Sequence, residues 1–174
     1  MKALYGARVG ILFGCLFILS ACGSVDRHVP LPYAVTFDVA ADVNPDIRGR
    51  PSPIVLKVFQ LKSASAFESA EFFALQDKPD NALGAQLLSV DRMILRPGEV
   101  RTVRYTGNAE ARAIGIVAEY RSLETNRWRL TLALPEGKQP SALRFWQGSP
   151  REAKFAIAVR NGGIDRSSDA RGAQ

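Results

Sequence analysis

AIGIVAEY, residues 113–120, is almost continuously apolar over the length of a single strand. Such a run is typical of a strand that is buried on both of its faces. Gly115 lies within it, and a glycine inside a strand indicates a bend or the close approach of another part of the chain. We therefore expect residues 113–120 to form a central strand of a sheet.

Further strands are predicted on both sides of this segment. YAVTFDVA at residues 33–40 alternates between apolar and other side chains, which predicts a half-buried strand. IVLKVFQL at 54–61 is a second strand, interrupted only by Lys57 and Gln60. Shorter strand-like segments lie at 100–105, 128–134 and 155–159. Several short strands with turns between them favour a mainly β protein, an antiparallel β-sandwich.

Residues 65–76, SAFESAEFFALQ, change from strand to helix periodicity. Ser65, followed three residues later by Glu68, matches a capping box, so one short helix is predicted. The face that this helix would turn towards the sheet consists of Phe67, Phe72 and Leu75. We expect the helix to end before Pro79, because proline cannot continue it. Residues 84–90 fit a second helical turn or a short strand, and the pattern does not distinguish the two.

The N-terminus carries the features of an export signal that ends at a cysteine. Lys2 and Arg8 are positively charged, and the apolar run at 9–19 is too short to span a bilayer comfortably. The sequence Leu-Ser-Ala-Cys at 19–22 resembles the bacterial lipobox. This resemblance implies cleavage before Cys22, followed by covalent attachment of diacylglycerol and an N-acyl chain to it. Several acyl chains on one residue hold a protein firmly at a membrane.

The remaining boundaries follow from this reading of the N-terminus. Residues 1–21 are predicted to be the signal peptide, and residues 22–32, which contain two prolines, an extended tether. One β-sandwich domain is expected at 33–162, and the small, charged residues 163–174 are predicted to be a disordered tail. Gly23 is not the aspartate that retains enterobacterial lipoproteins in the inner membrane. We therefore expect an outer-membrane anchor with the domain in the periplasm.

The composition argues against catalysis and metal binding. Cys15 lies in the predicted signal peptide and Cys22 is expected to carry lipid, so the mature domain would have no free thiol. His28 is the only histidine and lies in the tether, which leaves no base for a serine nucleophile and no usual zinc site. The net charge of +6 is spread along the chain, and nucleic acid is excluded by the compartment. We expect no enzyme, and no cofactor apart from the lipid on Cys22.

Loop 41–53, ADVNPDIRGRPSP, is longer than a hairpin requires. Its three prolines stiffen it, Gly49 permits a positive φ angle, and charged residues occupy its tip. A long but stiff loop costs less entropy to dock than a flexible one, so we expect a partner-binding element. The alternative is a simple crossover between the two sheets. The charged residues at the tip are Asp46, Arg48 and Arg50.

The order of these features resembles the TssJ lipoproteins of type VI secretion systems. The resemblance is carried by the lipobox, NPD at 44–46, GRPSP at 49–53, QLK at 60–62, FF at 72–73 and LRPGE at 95–99. It implies a transthyretin-like β-sandwich with a short added helical element. It also implies binding to the periplasmic C-terminal domain of the inner-membrane protein TssM, which docks the membrane complex to the outer membrane. The family's loop between the first two strands takes part in that contact. By position, the resemblance therefore implies a contact at Asn44, Pro45, Asp46, Ile47, Arg48, Gly49 and Arg50.

A different class of function, a lipoprotein that binds an envelope polysaccharide or a small ligand, would need an aromatic platform. The aromatic residues available for one are Tyr120, Trp128, Phe145 and Trp146. We favour the interpretation that these side chains fill the core of the sandwich or cap its ends.

Overall fold

A computed structural model describes residues 30–135 and 152–167. The described strands form two sheets of four strands each, with orders β4-β1-β7-β8 and β3-β2-β5-β6. The strands are β1 Tyr33–Val39, β2 Ile54–Leu61, β3 Leu87–Leu95, β4 Val100–Tyr105, β5 Ala113–Glu119, β6 Arg129–Ala133, β7 Ala153–Arg160 and β8 Gly163–Arg166. Their inner faces pack into one large apolar core, so the predicted mainly β sandwich is confirmed.

The first sheet departs in one pair from the antiparallel arrangement that we expected. β1 pairs with β4 in antiparallel orientation but with β7 in parallel, with Val35 opposite Phe155. More than a hundred residues separate β1 from β7 along the chain. Because no tight hairpin joins them, β7 is free to enter the sheet from the same end as β1. The alternation of β1 predicts its faces correctly: Tyr33, Val35, Phe37 and Val39 are all buried in the core.

The second sheet is buried on both faces at its centre, as the apolar run of β5 predicts. Ile114 and Ile116 pack between the sheets, while Val117 faces a second apolar cluster on the other side. A Cβ atom at Gly115 would lie 2.5 Å from the ring of Phe67. The glycine therefore marks a close approach, because only its missing side chain lets the Phe67 ring lie against the strand.

The helical element consists of several short pieces. They are α1 Ser65–Ser69, α2 Phe72–Asp77, α3 Pro79–Leu83 and a 3₁₀ turn at Gly84–Gln86. The single helix that we predicted at 65–76 is wrong, because the backbone is extended at Ala70 and Glu71. The Arg129 guanidinium donates from Nη1 to the carbonyl oxygens of Phe67 and Ala70, at 2.9 Å each. These bonds satisfy carbonyl groups that the end of α1 leaves without helical partners.

One other detail of the helical prediction is corrected and one is confirmed. The residue before α1 is Ala64, and no side chain caps it, so Ser65 and Glu68 form no capping box. As predicted, α2 ends before Pro79, and Pro79 then begins α3, at a position where proline loses no helical hydrogen bond. Segment 84–90, for which a helical turn and a strand were both predicted, contains both. The 3₁₀ turn ends at Gln86, and β3 begins at the next residue.

The predicted disordered tail is wrong at its beginning. Residues Gly163–Arg166 form β8, which pairs with β7 in antiparallel orientation, and Ile164 is fully buried. The two strands are joined by Asn161 and Gly162, a dipeptide that favours a two-residue hairpin turn. This turn and the single buried Ile164 are the signals that compositional reasoning overlooked. Residues 168–174 of the predicted tail lie outside the described residues.

Candidate functional site

Loop 41–53 is held at its base by Asn44, whose side chain is buried. Its Nδ2 donates to the carbonyl oxygen of Pro53 at 2.9 Å, and its Oδ1 accepts from the backbone N–H of Arg121 at 2.9 Å. The residue has a φ angle of +49°, a conformation that asparagine tolerates better than most residues. One side chain thus joins the two ends of the loop to each other and to the segment after β5.

The tip of loop 41–53 is closed by the carboxylate of Asp46. Oδ1 accepts hydrogen bonds from the backbone N–H groups of Arg48 and Arg50, at 2.8 and 3.0 Å. Oδ2 accepts from Arg50 Nε at 2.8 Å and lies 2.7 Å from Arg50 Nη2, so two nitrogens of the guanidinium contact the same carboxylate oxygen. The positive φ angle of Gly49, +76°, lets the chain reverse between these partners.

These contacts also set the charge state of the tip. Hydrogen bonds from the backbone and side chain of Arg50 hold the pKa of the Asp46 carboxyl below its usual range. Asp46 is therefore ionised at neutral pH, and its charge is offset by Arg50 within the loop. Two of the three charged residues that we expected at the tip bind each other, whereas the Arg48 guanidinium has no ion pair among the described residues.

Ile47 lies between these charged residues and is fully exposed. A single exposed aliphatic side chain is common on protein surfaces, but this one lies at the tip of a loop whose shape is fixed by hydrogen bonds. We included Ile47 in the predicted contact range but did not distinguish it from the other residues of that range. The signal was present in the sequence, since Ile47 is the only large apolar residue between Val43 and Ile54.

The loop and the N-terminal tether lie at opposite ends of the sandwich. The chain enters the domain at Tyr33, and loop 41–53 follows the other end of the same strand, β1. A strand of seven residues spans about 23 Å. The point at which the chain enters the domain, Tyr33, therefore lies about that far from the base of the loop.

The aromatic residues do not form a shared exposed platform in the described part of the chain. Tyr120 is buried, and its hydroxyl donates to the carbonyl oxygen of Arg160 at 2.9 Å. Burial raises the pKa of Tyr120 above its usual range. Trp128 packs edge-on against Phe72, with ring centroids 5.2 Å apart. Phe145 and Trp146, like Cys22 and His28, lie outside the described residues.

Residues 30–135 and 152–167 contain neither a metal-binding cluster nor a membrane-spanning helix. No group of three or more His, Cys, Asp or Glu side chains in these ranges could hold a metal ion. No helix in the same ranges is long and apolar enough to cross a membrane. Together, the two sheets and the stiff loop define a β-sandwich that presents one apolar side chain at the tip of a loop.

Comparison with known proteins identifies the family of this β-sandwich. The profile of the family described as type VI secretion lipoprotein, VasD, EvfM, TssJ matches residues 32–161. The chain therefore belongs to the TssJ family of type VI secretion lipoproteins, as the sequence motifs predicted. That family is structural and is not a known family of enzymes. A search of curated proteins gave no match.

Solved structures support the same assignment. Serratia marcescens Lip, described as a membrane bound component of the type VI secretion system, is 34% identical, with a TM-score of 0.72. The match covers 82% of this chain and 99% of Lip. TssJ1 of Pseudomonas aeruginosa is 30% identical, with a TM-score of 0.69 over 80% of this chain and 96% of its own.

A third match has the same fold at lower identity. It is a chain from a structure described as the T6SS protein TssM C-terminal domain (869-1107) from EAEC. The identity is 21% and the TM-score 0.59, and the match covers 78% of this chain and 97% of that chain.

Proposed function

We propose that this protein is an outer-membrane lipoprotein whose loop 41–53 binds the periplasmic C-terminal domain of a TssM-like inner-membrane protein. In this role it docks the type VI secretion membrane complex to the outer membrane. Membership of a family of type VI secretion lipoproteins supports the proposal, as does the likeness to a chain from a TssM structure. Within the chain, the observation that carries it is the exposed Ile47 on a loop whose shape is already set.

The positions of tether and loop suit a docking protein. Lipid on Cys22 would hold the Tyr33 end of the domain near the bilayer, because residues 22–32 extend at most roughly 35 Å. The loop would then lie at the far end of β1, directed away from that membrane and towards a protein that crosses the periplasm. A contact at this end leaves room for the partner without displacing the anchor.

The loop geometry assigns different roles to its residues. Asp46 and Arg50 are occupied with each other and with the backbone, so they act as positioning residues. Ile47 is the apolar anchor that enters a pocket of the partner, and Arg48 supplies a charge beside it. Because the loop keeps its hydrogen bonds without a partner, binding orders few additional groups, and less of the binding energy is lost to ordering.

Calorimetric titration with the purified periplasmic domain of the TssM protein from the same secretion system tests this assignment. Ile47→Asp should lower the affinity by about 30-fold or more, the effect of removing an interface anchor. Phe73→Asp is the matched control, because Phe73 is also a large exposed apolar residue but lies in α2. Equal affinities for wild type and Ile47→Asp would contradict the proposal.

The anchor is tested separately by replacing each cysteine with serine. Cys22→Ser should abolish incorporation of radiolabelled palmitate and release the folded domain into the osmotic-shock fraction, and it should also abolish secretion. Cys15→Ser provides the control, since this cysteine lies in the apolar run of the signal peptide and should leave labelling intact. A Cys22→Ser protein that still supports secretion would remove the anchoring role.

A further inference from the structure

A groove lies beside loop 41–53 that the proposed contact does not use. It has a volume of about 560 Å³ and is formed mainly by the turn between β3 and β4. Its apolar lining comes from Pro53, Ile94 and Pro97, and its charged lining from Arg96, Glu99 and Arg101. We call it the β3–β4 groove. Ile94 points outwards from β3 and is 52% exposed, so it presents an apolar surface within the groove.

The β3–β4 groove and the loop belong to one continuous surface. Pro53 is both the last residue of loop 41–53 and part of the groove. The N–H of Gly98 donates to the carbonyl oxygen of Ala40 at 3.2 Å, and the N–H of Val39 donates to that of Glu99 at 3.0 Å. These bonds join the β3–β4 turn to the residues at which the loop begins. A partner that covers the loop therefore meets the groove at the same end of the sandwich.

The charges around the groove are unequally paired. Glu99 Oε2 accepts from the backbone N–H of Arg96 at 2.8 Å, and its Oε1 lies 2.5 Å from Arg101 Nη2. The hydrogen bond from the Arg96 backbone, followed by the contact with Arg101, keeps the pKa of Glu99 below its usual range. Arg101 forms an ion pair with Glu99, whereas the Arg96 guanidinium is attracted to the same carboxylate without an ion pair among the described residues. Because two arginines share one carboxylate, the groove combines an apolar wall with an excess of positive charge.

We propose that the β3–β4 groove binds a second segment of the same partner, an apolar side chain next to a carboxylate. The apolar side chain packs on Ile94 and Pro97, and the carboxylate pairs with Arg96. This inference rests on the proposed function and adds to it a contact outside loop 41–53. The net charge of +6 on this chain disfavours a second copy of it as the occupant of a positively charged groove, and continuity with the loop favours the partner proposed for the loop.

Strand β3 offers matched controls for the test. Val90 lies four residues before Ile94, on the same face of the strand, and is 42% exposed, but it does not line the groove. Arg92 lies in β3 four residues before Arg96, which follows the end of the strand, and Arg92 is likewise exposed and outside the groove. Each pair, Ile94 with Val90 and Arg96 with Arg92, therefore compares two exposed residues of the same chemical type, one inside the groove and one outside it.

The experiment titrates the complete mature protein with the purified periplasmic TssM domain of the same system. Ile94→Asp and Arg96→Glu should each weaken binding by about tenfold or more, whereas Val90→Asp and Arg92→Glu should change it by less than about twofold. Arg96→Glu should also reduce the dependence of the affinity on salt, because it removes an attractive charge pair. Thermal unfolding of each variant confirms that the fold is retained.

The outcomes separate this inference from the proposed function. If the wild-type protein does not bind the TssM domain, the proposed function is wrong and this inference is overturned with it. If Ile47→Asp abolishes binding while Ile94→Asp and Arg96→Glu behave like their controls, the loop contact stands and the groove inference is overturned. If the groove variants leave the affinity for the TssM domain unchanged but reduce self-association in analytical ultracentrifugation, the occupant is a second copy of this chain. That outcome also overturns the inference.

Discussion

Two of the long connections between strands are held in place by different forces. The helical connection, residues 62–86, lies against the second sheet and buries Phe67, Phe72, Leu75 and Leu83 in an apolar cluster. Loop 41–53 buries Val43 in the core near its start, and the shape of the rest depends on hydrogen bonds to the side chains of Asn44 and Asp46. Its large aliphatic tip residue, Ile47, is left in solvent. The helical connection is held mainly by apolar packing, whereas the tip of the loop is held by hydrogen bonds and leaves its apolar residue exposed.

This difference predicts where substitutions should change stability and where they should change binding. Truncating buried apolar groups removes transfer free energy and leaves a cavity. Exposed residues outside such clusters usually change stability by less than about 0.5 kcal/mol. Substitutions in the helical connection should therefore destabilise the domain, whereas those at the loop tip should act mainly on affinity.

Phe67→Ala should have the largest effect on stability and tests the first half of this contrast. The Phe67 ring is fully buried, lies 5.3 Å from that of Phe59 and packs over Gly115. Its removal should lower the free energy of unfolding by about 3–5 kcal/mol. Denaturant titration followed by tryptophan fluorescence measures the change. A loss below 1 kcal/mol, on the order of a surface substitution, would show that the helical connection does not share the core.

Gly115→Ala should have a smaller effect, because it crowds the same site instead of emptying it. The new Cβ would lie 2.5 Å from the Phe67 ring, so the ring or the strand must move, at a cost of about 1–3 kcal/mol. The measurement is made in a double-mutant cycle with Phe67→Leu. The smaller side chain should relieve the crowding, so the two substitutions together should cost less than their sum. Simple additivity would show that the close approach is not the cause.

Asn44 is an exception to this contrast, because it belongs to the loop but is buried. Its substitution should therefore change stability. Asn44→Gly keeps the positive φ angle while leaving the Pro53 carbonyl and the Arg121 N–H without this partner. It should lower the free energy of unfolding by about 1–3 kcal/mol, measured by denaturant titration. Asn44→Ala should cost about 1–2 kcal/mol more, since alanine disfavours the left-handed conformation. Equal losses for the two variants would contradict the role of the backbone conformation.

The strands could be predicted from sequence because their signals are local. The alternation in β1 and the apolar run in β5 each identify a strand and its buried faces without knowledge of its neighbours. The parallel β1–β7 pair could not be predicted in this way, since it joins residues more than a hundred positions apart. The break between α1 and α2 is also a tertiary effect, because Arg129 from β6 supplies the hydrogen bonds that stabilise it.

The candidate site was predicted as a range, and the structure distinguishes the roles within it. Composition identified loop 41–53 as stiff with a charged tip, and the family resemblance narrowed the predicted contact to residues 44–50. Neither showed that Asp46 and Arg50 bind each other, because that pairing depends on the chain reversal at Gly49. Once these charges are matched, Ile47 and Arg48 are the residues of the tip that remain for a partner. The β3–β4 groove lies far from the loop in sequence, so no local pattern indicates that they share a surface.

The smallest effect that we predict concerns the acid titration of the loop tip. The hydrogen bonds from Arg50 lower the pKa of Asp46 in the folded protein, so the ionised carboxylate favours the folded loop. This contribution is fully present above the unfolded pKa of about 3.9 and is lost as the pH falls through the lower folded value. The amide proton shifts of Arg48 and Arg50 should therefore stay constant from neutral pH down to about pH 5 and change together only in stronger acid.

Nuclear magnetic resonance titration measures this step, and Asp46→Asn should remove it, because the amide side chain does not titrate in this range. The same variant should keep the overall fold, since the hydrogen bonds that the Asp46 carboxylate accepts come from residues of its own loop. A midpoint at or above the ordinary aspartate value would mean that the carboxylate is not held by Arg50 in solution. The tip would then be flexible before it binds, and the contrast between a folded connection and a stiff, presented one would no longer hold.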